Sequence, residues 1–421
     1  MWKRLNKGLF IGAVIVSLFS WVANGKTVLT HLTYPNHGEP WQEFVRSQAL
    51  AFERANPDIK IDLVVGSGVS KFMTMVAGGV APDITEFALV YGGTLAADGH
   101  FLDLRPFFAR DRQLNLNHYA PIAIQAMTAS DGAMWGFPAD VYPASTYYDV
   151  DFFADAGLLT PSELGENWTW DTMLQAAKKL TRDTNRDGVV DFWGIGGGSG
   201  MWDHMAFVRQ AGGTLYDRYV DPTESRLNEP AVERAMQWYA DLYLTHGVIY
   251  NGWDGMTKRI AAMSLVSGPT AIESMQAAGV RVDVAPQPKG PANRGAYVAQ
   301  NGFQIVESTK HPELAWEWVK FLIGTDEAIS QFAQVTTRFP ANMRVARRYR
   351  DFIDNPPPNI AAVLETAVDP ASFHLPIGKN TSETRSILSS IRGPIVQGSL
   401  GVRMALEDAH RRINALLKGE R

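Results

Sequence analysis

The chain has 421 residues, of which 46% are apolar and 20% charged, with no cysteine and a formal net charge of −5. That composition excludes disordered, collagen-like and low-complexity chains, and the length suits about two to three ordinary domains or one two-lobed unit. Without cysteine there is no disulfide framework, zinc–cysteine site, iron–sulfur cluster or thiol nucleophile, and the mild acidity leaves no basic patch for nucleic-acid phosphates. What remains to be explained is 12 Trp, 13 Tyr and 20 Phe against only 39 Lys plus Arg.

Lys3, Arg4 and Lys7 precede an almost wholly apolar run over residues 8–23, followed by Ala23-Asn24-Gly25. This is the layout of a secretory signal peptide over residues 1–25, expected to be cut after Gly25. The apolar run falls short of the ~20 residues that span a bilayer. Cleavage leaves 36 basic against 44 acidic side chains, a net charge of −8. An exported chain that avoids cysteine and offers no lipid site points to the oxidising periplasm.

The predicted elements alternate. Residues 27–33 read as a buried strand, and Pro40 opens a helix with Trp41, Val45, Ala49 and Phe52 on one face. A strand over 59–65, a helix over 69–77 and a short strand over 83–87 complete a βαβαβ start, which predicts a parallel sheet. Asp131-Gly132 marks a tight turn, and residues 144–149 are strand-like. Thr169 is placed to cap a helix ending at Leu180, and Gly194 to Gly200 read as a glycine-rich loop. Asn228 is the expected cap of a helix with Val232, Met236, Tyr239 and Tyr243 on its apolar side, closed by Gly247. Strands are expected over 262–266, 280–285 and 297–306, and helices from Pro312 through Leu322 and from Val402 through Leu417.

Open α/β sheets bind ligands beyond their strand carboxyl ends. Those ends carry Asn36, His37 and Glu39 after the first strand, Ser67 after the second, and Glu86, Phe87 and Tyr91 after the third. No His-Glu-x-x-His, Gly-x-Ser-x-Gly, P-loop or complete dinucleotide fingerprint occurs. A glycosidase carboxylate pair carries no short signature and stays open as an alternative. The aromatics are the positive signal: rings cover the C–H faces of a sugar while polar groups bond its hydroxyls. Trp41, Trp238, Trp316 and Trp318 lie within helices and read as packing. Asp183, Asn185, Asp187 and Asp191, with Gly188 at the sixth position, copy the front of a calcium loop but lack its closing Glu. A structural Ca²⁺ is one reading, and an Asx-rich turn without an ion is the other; no other cofactor is required.

The ordered segments AFERANPDIKIDLV (51–64), VAGGVAPDI (76–84), GHFLDLRPF (99–107), DGAMWGFPAD (131–140), YYDVDFFADAGL, TWDTMLQAAKKLT (169–181), RIAAMSLVSGP (259–269), DVAPQPKGP (283–291) and NGFQIVESTKHPELAWEWVKFL (301–322) run through most of the chain. Together they resemble bacterial extracellular solute-binding proteins of the maltose-binding type, the receptors of ABC sugar importers. The resemblance implies the periplasmic binding protein type II fold: two discontinuous α/β lobes with a hinge and a ligand cleft between them. It places lobe one at 26–139 plus 294–338, and lobe two at 140–293 plus 339–421. It also implies a monomer that captures a carbohydrate without chemistry and hands it to permease subunits; a secreted carbohydrate-active enzyme or a sensor of the same fold stays open. By position it marks Trp202 as a stacking ring, with Tyr142 and Asp140 near the first crossing. It adds Asn301 and Gly302; by their place in the chain Trp253, Ser267 and Gly268 around the AAM strand are further ligand-binding candidates, as is Arg338 near the return crossing, which reads either as a partner for a ligand carboxylate or as a surface or hinge salt bridge. Thr270 stands where the family often has Trp.

Overall fold

The structure is a computed structural model that describes residues 25–66, 68–198 and 202–420, and of Trp202 and Asp203 the backbone alone. Residues 1–24 of the expected signal segment, Ser67 and the Trp202 side chain therefore lie outside the described residues.

Among the described residues ten strands build two five-stranded sheets: β1 (Thr27–Thr33), β2 (Ile59–Val65), β3 (Ile84–Thr85), β4 (Phe137–Pro143), β5 (Thr146–Asp149), β6 (Trp193–Gly197), β7 (Ile249–Asn251), β8 (Ala261–Ser264), β9 (Val282–Ala285) and β10 (Val298–Ile305). The first sheet runs β2-β1-β3-β10-β4 and the second β7-β6-β8-β5-β9. β1 is parallel to β2, with Thr27 opposite Ile59, and parallel to β3, as the βαβαβ start requires. β10 then returns to the first sheet antiparallel to both β3 and β4, after the second sheet has been built. That return makes the first lobe discontinuous.

The helix Glu39–Ala55 shows how the sequence writes these layers. Pro40 sits in its first turn, where no N–H is needed. Trp41, Phe44, Val45, Ala49 and Phe52 are buried at helical spacing, each large side chain contributing about 1.5–3 kcal/mol of burial. Trp316 and Trp318 are likewise buried, and Trp238 stacks on Trp170 at 5.1 Å, so all four helical tryptophans pack as expected. Thr169 caps the helix Trp170–Leu180 reciprocally: its hydroxyl accepts from Thr172 N at 3.3 Å, and Thr169 N donates to the Thr172 hydroxyl at 2.8 Å.

Two expectations change. The glycines from Gly194 to Gly197 belong to strand β6, not to a loop. A Cβ at Gly194 would lie 2.4 Å from the Ala177 backbone, so the glycine lets the strand press onto the helix Trp170–Leu180. The cap of Pro230–Leu244 is Glu229 rather than Asn228, because Pro230 takes the first helical position and fixes the boundary one residue later.

The chain passes between the sheets through Ala144-Ser145 and again between β9 and β10. Residues 339–341 run beside β4, with Val141 N donating to Phe339 O and Ala341 N to Ala139 O, both at 3.0 Å. The helix Met343–Ala346 and the turn Tyr349–Phe352 pack on the helix Asp326–Thr336 of the first lobe. Buried Phe339 and Tyr349 rings, 4.8 Å apart, hold this segment there. The last crossing therefore follows Phe352, later than residue 339, where the second lobe was expected to resume.

The lobes also touch away from the crossings. The helix Leu89–Ala97 of the first lobe lies against the helix Thr381–Val396 of the second. Gly93 meets Ile377, and the Ser130 hydroxyl donates to the Asp221 carboxylate.

Candidate functional site: the cleft between the lobes

The carboxyl ends of β1 and β3 bring Tyr34 and Tyr91 together at the lobe junction, with His37 and Phe87 packed behind them. Tyr34 follows β1, and its ring lies 5.7 Å from Tyr91, 5.2 Å from His37 and 6.1 Å from Phe87. Asn36 Nδ2 donates to the Tyr34 hydroxyl at 2.8 Å. From the second lobe, the Arg385 guanidinium stands 5.6 Å from the Tyr91 ring centre. On the crossing side, Tyr297 packs 6.1 Å from Phe373, and Phe373 lies 6.2 Å from Tyr219. Burial, with the Tyr91 hydroxyl second, pushes the Tyr34 phenol up to about 12. Burial also raises Tyr142 and Tyr297, so these phenols are neutral donors at physiological pH.

Tyr142 joins the lobes. It lies on β4, and its hydroxyl accepts from Gly268 N of the second lobe at 2.7 Å. A Cβ at Gly268 would sit 2.3 Å from the Tyr142 ring, so only glycine permits this approach. Gly268→Ala is expected to displace the Tyr142 ring and lower ligand affinity at least about 10-fold while stability falls by about 1–3 kcal/mol. Isothermal titration and urea unfolding of the variant check both parts.

Several candidates turn inward instead. Glu86 is 0% exposed: its carboxylate accepts from Tyr34 N and Trp41 Nε1, both at 2.7 Å, and faces His31 at 3.4 Å. The Phe87 ring is core, and its N–H donates to Gln304 Oε1 at 2.8 Å. His37 is buried, its Nε2 donating to the Glu86 carbonyl at 2.5 Å. Asp140 is 1% exposed; one oxygen pairs with Arg338 Nη1 at 2.7 Å, the other accepts from Asn301 N at 3.0 Å and Asn301 Nδ2 at 2.7 Å. Arg338 also donates to the His37 carbonyl at 2.9 Å and lies 5.0 Å over the Trp41 ring. Asp140, Asn301 and Arg338 thus form one internal network at the crossing. Gly302 has no room to face a ligand, since a Cβ there would meet Phe137 O at 2.4 Å. Glu39 is exposed and pairs with Arg46. Ser267 is half-buried and shares a 2.8 Å hydrogen bond with Ser264. Trp253, 50% exposed, follows β7 beside the 2.7 Å Asp254–Lys258 pair.

The carboxylate-rich loop folds on itself. Asp183 accepts from Asp187 N and Gly188 N, Asn185 Oδ1 from Asp187 N, Asp187 from Val189 N, and Asp191 from Thr184 N. Among the described residues no group of three or more His, Asp or Glu is placed to hold a metal ion.

Arg385, Tyr297 and the Tyr34 ring were not singled out from sequence. Tyr34 had a legible signal, standing first after a strand. Arg385 had none, because only the tertiary fold sets its helix against Leu89–Ala97.

A family model described as bacterial extracellular solute-binding protein matches residues 34–329. The maltodextrin-binding protein of Bacillus subtilis is 24% identical over 393 residues, covering 86% of this chain and 88% of that one. Among solved structures, an ABC substrate-binding protein of Listeria monocytogenes in complex with cycloalternan has a TM-score of 0.79 at 23% identity, covering 94% of this chain and 100% of that one. A solute-binding protein of Thermotoga lettingae bound with α-D-tagatose has a TM-score of 0.76 at 21% identity, covering 93% and 100%. These likenesses and the two sheets establish the two-lobed type II binding-protein fold. With the family match spanning well over half its length, the chain belongs to the bacterial extracellular solute-binding proteins.

Proposed function

We propose that this protein captures a carbohydrate between its lobes and delivers it, unchanged, to the permease of an ABC importer. The observation that carries this reading is the group of rings where the lobes meet: Tyr91, beside Tyr34 on one lobe, faces Arg385 of the other, and Tyr142 and Tyr297 stand beside the crossings. Rings for sugar faces and neutral phenols for sugar hydroxyls, presented from two lobes, suit capture by closure. The similar proteins support it, since their ligands are maltodextrin, cycloalternan and tagatose. Capture without chemistry accords with a family of binding proteins and with the enclosure of Glu86 and Asp140, which leaves neither carboxylate available as an acid or base. The signal-like start supports export and action in the periplasm. Among the described residues no helix is long and apolar enough to cross a membrane.

The test is thermal shift of residues 26–421 with a panel of sugars, oligosaccharides, amino acids and phosphate esters. A carbohydrate at about 100 times its Kd should add about 2.7 kcal/mol of stability. Stabilisation by amino acids or phosphate esters alone would overturn the assignment.

A further inference from the structure

Among the described residues, one cation where the lobes meet has no acidic partner. Arg385 is half-buried on the helix Thr381–Val396 and points its guanidinium at the Tyr91 ring, 5.6 Å away. Among the described residues it has neither an ion pair nor a hydrogen-bond acceptor. Its charge opposes the upward shift that burial imposes on the Tyr34 and Tyr297 phenols.

Three carboxylates near the lobe junction have other partners. Glu86 serves Tyr34 N and Trp41, Asp140 serves Arg338 and Asn301, and Asp221 accepts from Ser130. A site for a neutral sugar gains from carboxylates that accept its hydroxyls. This wall offers the reverse, neutral phenols and a free five-donor fork. A half-buried guanidinium without an acceptor is costly, and a ligand that supplies one recovers that cost.

Resting on the carbohydrate reading, we propose that the ligand is an acidic sugar, and that Arg385 receives the carboxylate of a uronic acid unit while the surrounding phenols bond its hydroxyls. A carboxylate is the matching group because one guanidinium neutralises one charge and its two parallel N–H groups fit two oxygens. A phosphate dianion asks for a second cation, and the other cleft arginine, Arg338, is committed to Asp140 and the His37 carbonyl.

The experiment is isothermal titration of residues 26–421 with trimers of galacturonate, glucuronate and mannuronate, the matching neutral trimers, and glucose 1-phosphate, at 20 mM and 500 mM salt. The expected result is a uronate trimer that binds on the order of 30-fold tighter than its neutral counterpart, weakened by salt. R385Q should remove that preference and R385K should restore part of it. Neutral trimers binding as well as or better than uronates would overturn the proposal and leave carbohydrate capture standing. Preference for the phosphate ester would overturn the carboxylate assignment. No binding of any carbohydrate would overturn both readings. Should R385Q fail to fold, the wild-type comparison of charged with neutral trimers decides alone.

Discussion

Taking the protein from pH 7.5 to pH 5.5 is expected to cost up to about 4 kcal/mol of folding stability, through three buried histidines. Burial, reinforced by the Arg392 charge, lowers His204 from 6.5 to about 3. His37 is lowered first by burial and also by Arg338, against the opposing pull of Glu86. Burial lowers His374, with the Leu375 carbonyl opposing it. The unfolded chain takes up protons near 6.5, whereas the folded chain waits for the lower values. Stability is therefore full above 6.5 and falls as the pH drops toward the folded values. At pH 5.5, His204 alone accounts for about 1.4 kcal/mol, and the other two for no more than that each. Urea unfolding across this range measures the slope, and His204→Phe should remove at least about a third of it. A flat profile would show that the folded histidines titrate normally.

Replacing Asp140 by Ala is expected to destabilise the protein by about 3–5 kcal/mol, because it leaves a nearly buried guanidinium and an amide without their acceptor. Arg338 would keep only the His37 carbonyl and the Trp41 ring, and Asn301 would lose both of its bonds to the carboxylate. Denaturant unfolding of D140A, R338M and the double variant separates the pair from its parts. The double variant should lose clearly less than the sum of the singles, since removing both charges leaves neither stranded. Additive losses would show that the two side chains act independently. The pair also bridges two segments near the lobe crossing, β4 and residues 338–341, so its loss should loosen the crossing itself.

The sequence announces its layers more clearly than its site. The helix at Glu39–Ala55 was legible because Pro40 and the Trp41, Val45, Ala49, Phe52 spacing are local facts. The parallel start was legible because short strands alternate with a helical period. The glycines of β6 misled because a glycine run signals either a loop or a close approach, and only the position of Ala177 decides between them. The site depended on orientation. Glu86 and Asp140 stand where ligand residues were expected, but a strand-end position leaves open whether a side chain turns toward the cleft or the core. Both found internal donors, Trp41 for one and Asn301 with Arg338 for the other. Tyr142 was placed near the cleft by resemblance, whereas Arg385 became visible only once two helices distant in sequence met.

Those meeting points carry one more consequence. Ser130 with Asp221, Gly93 with Ile377, and Arg385 with Tyr91 each join one lobe to the other away from the crossings. A contact that exists only while the lobes are together weights the shut conformer, and measured affinity scales with the fraction of molecules competent to bind. A surface hydroxyl at Ser130 that touches no ligand thus belongs to the binding equilibrium. Its removal can weaken capture only by the factor through which it empties the shut state, equally for every ligand that needs that state.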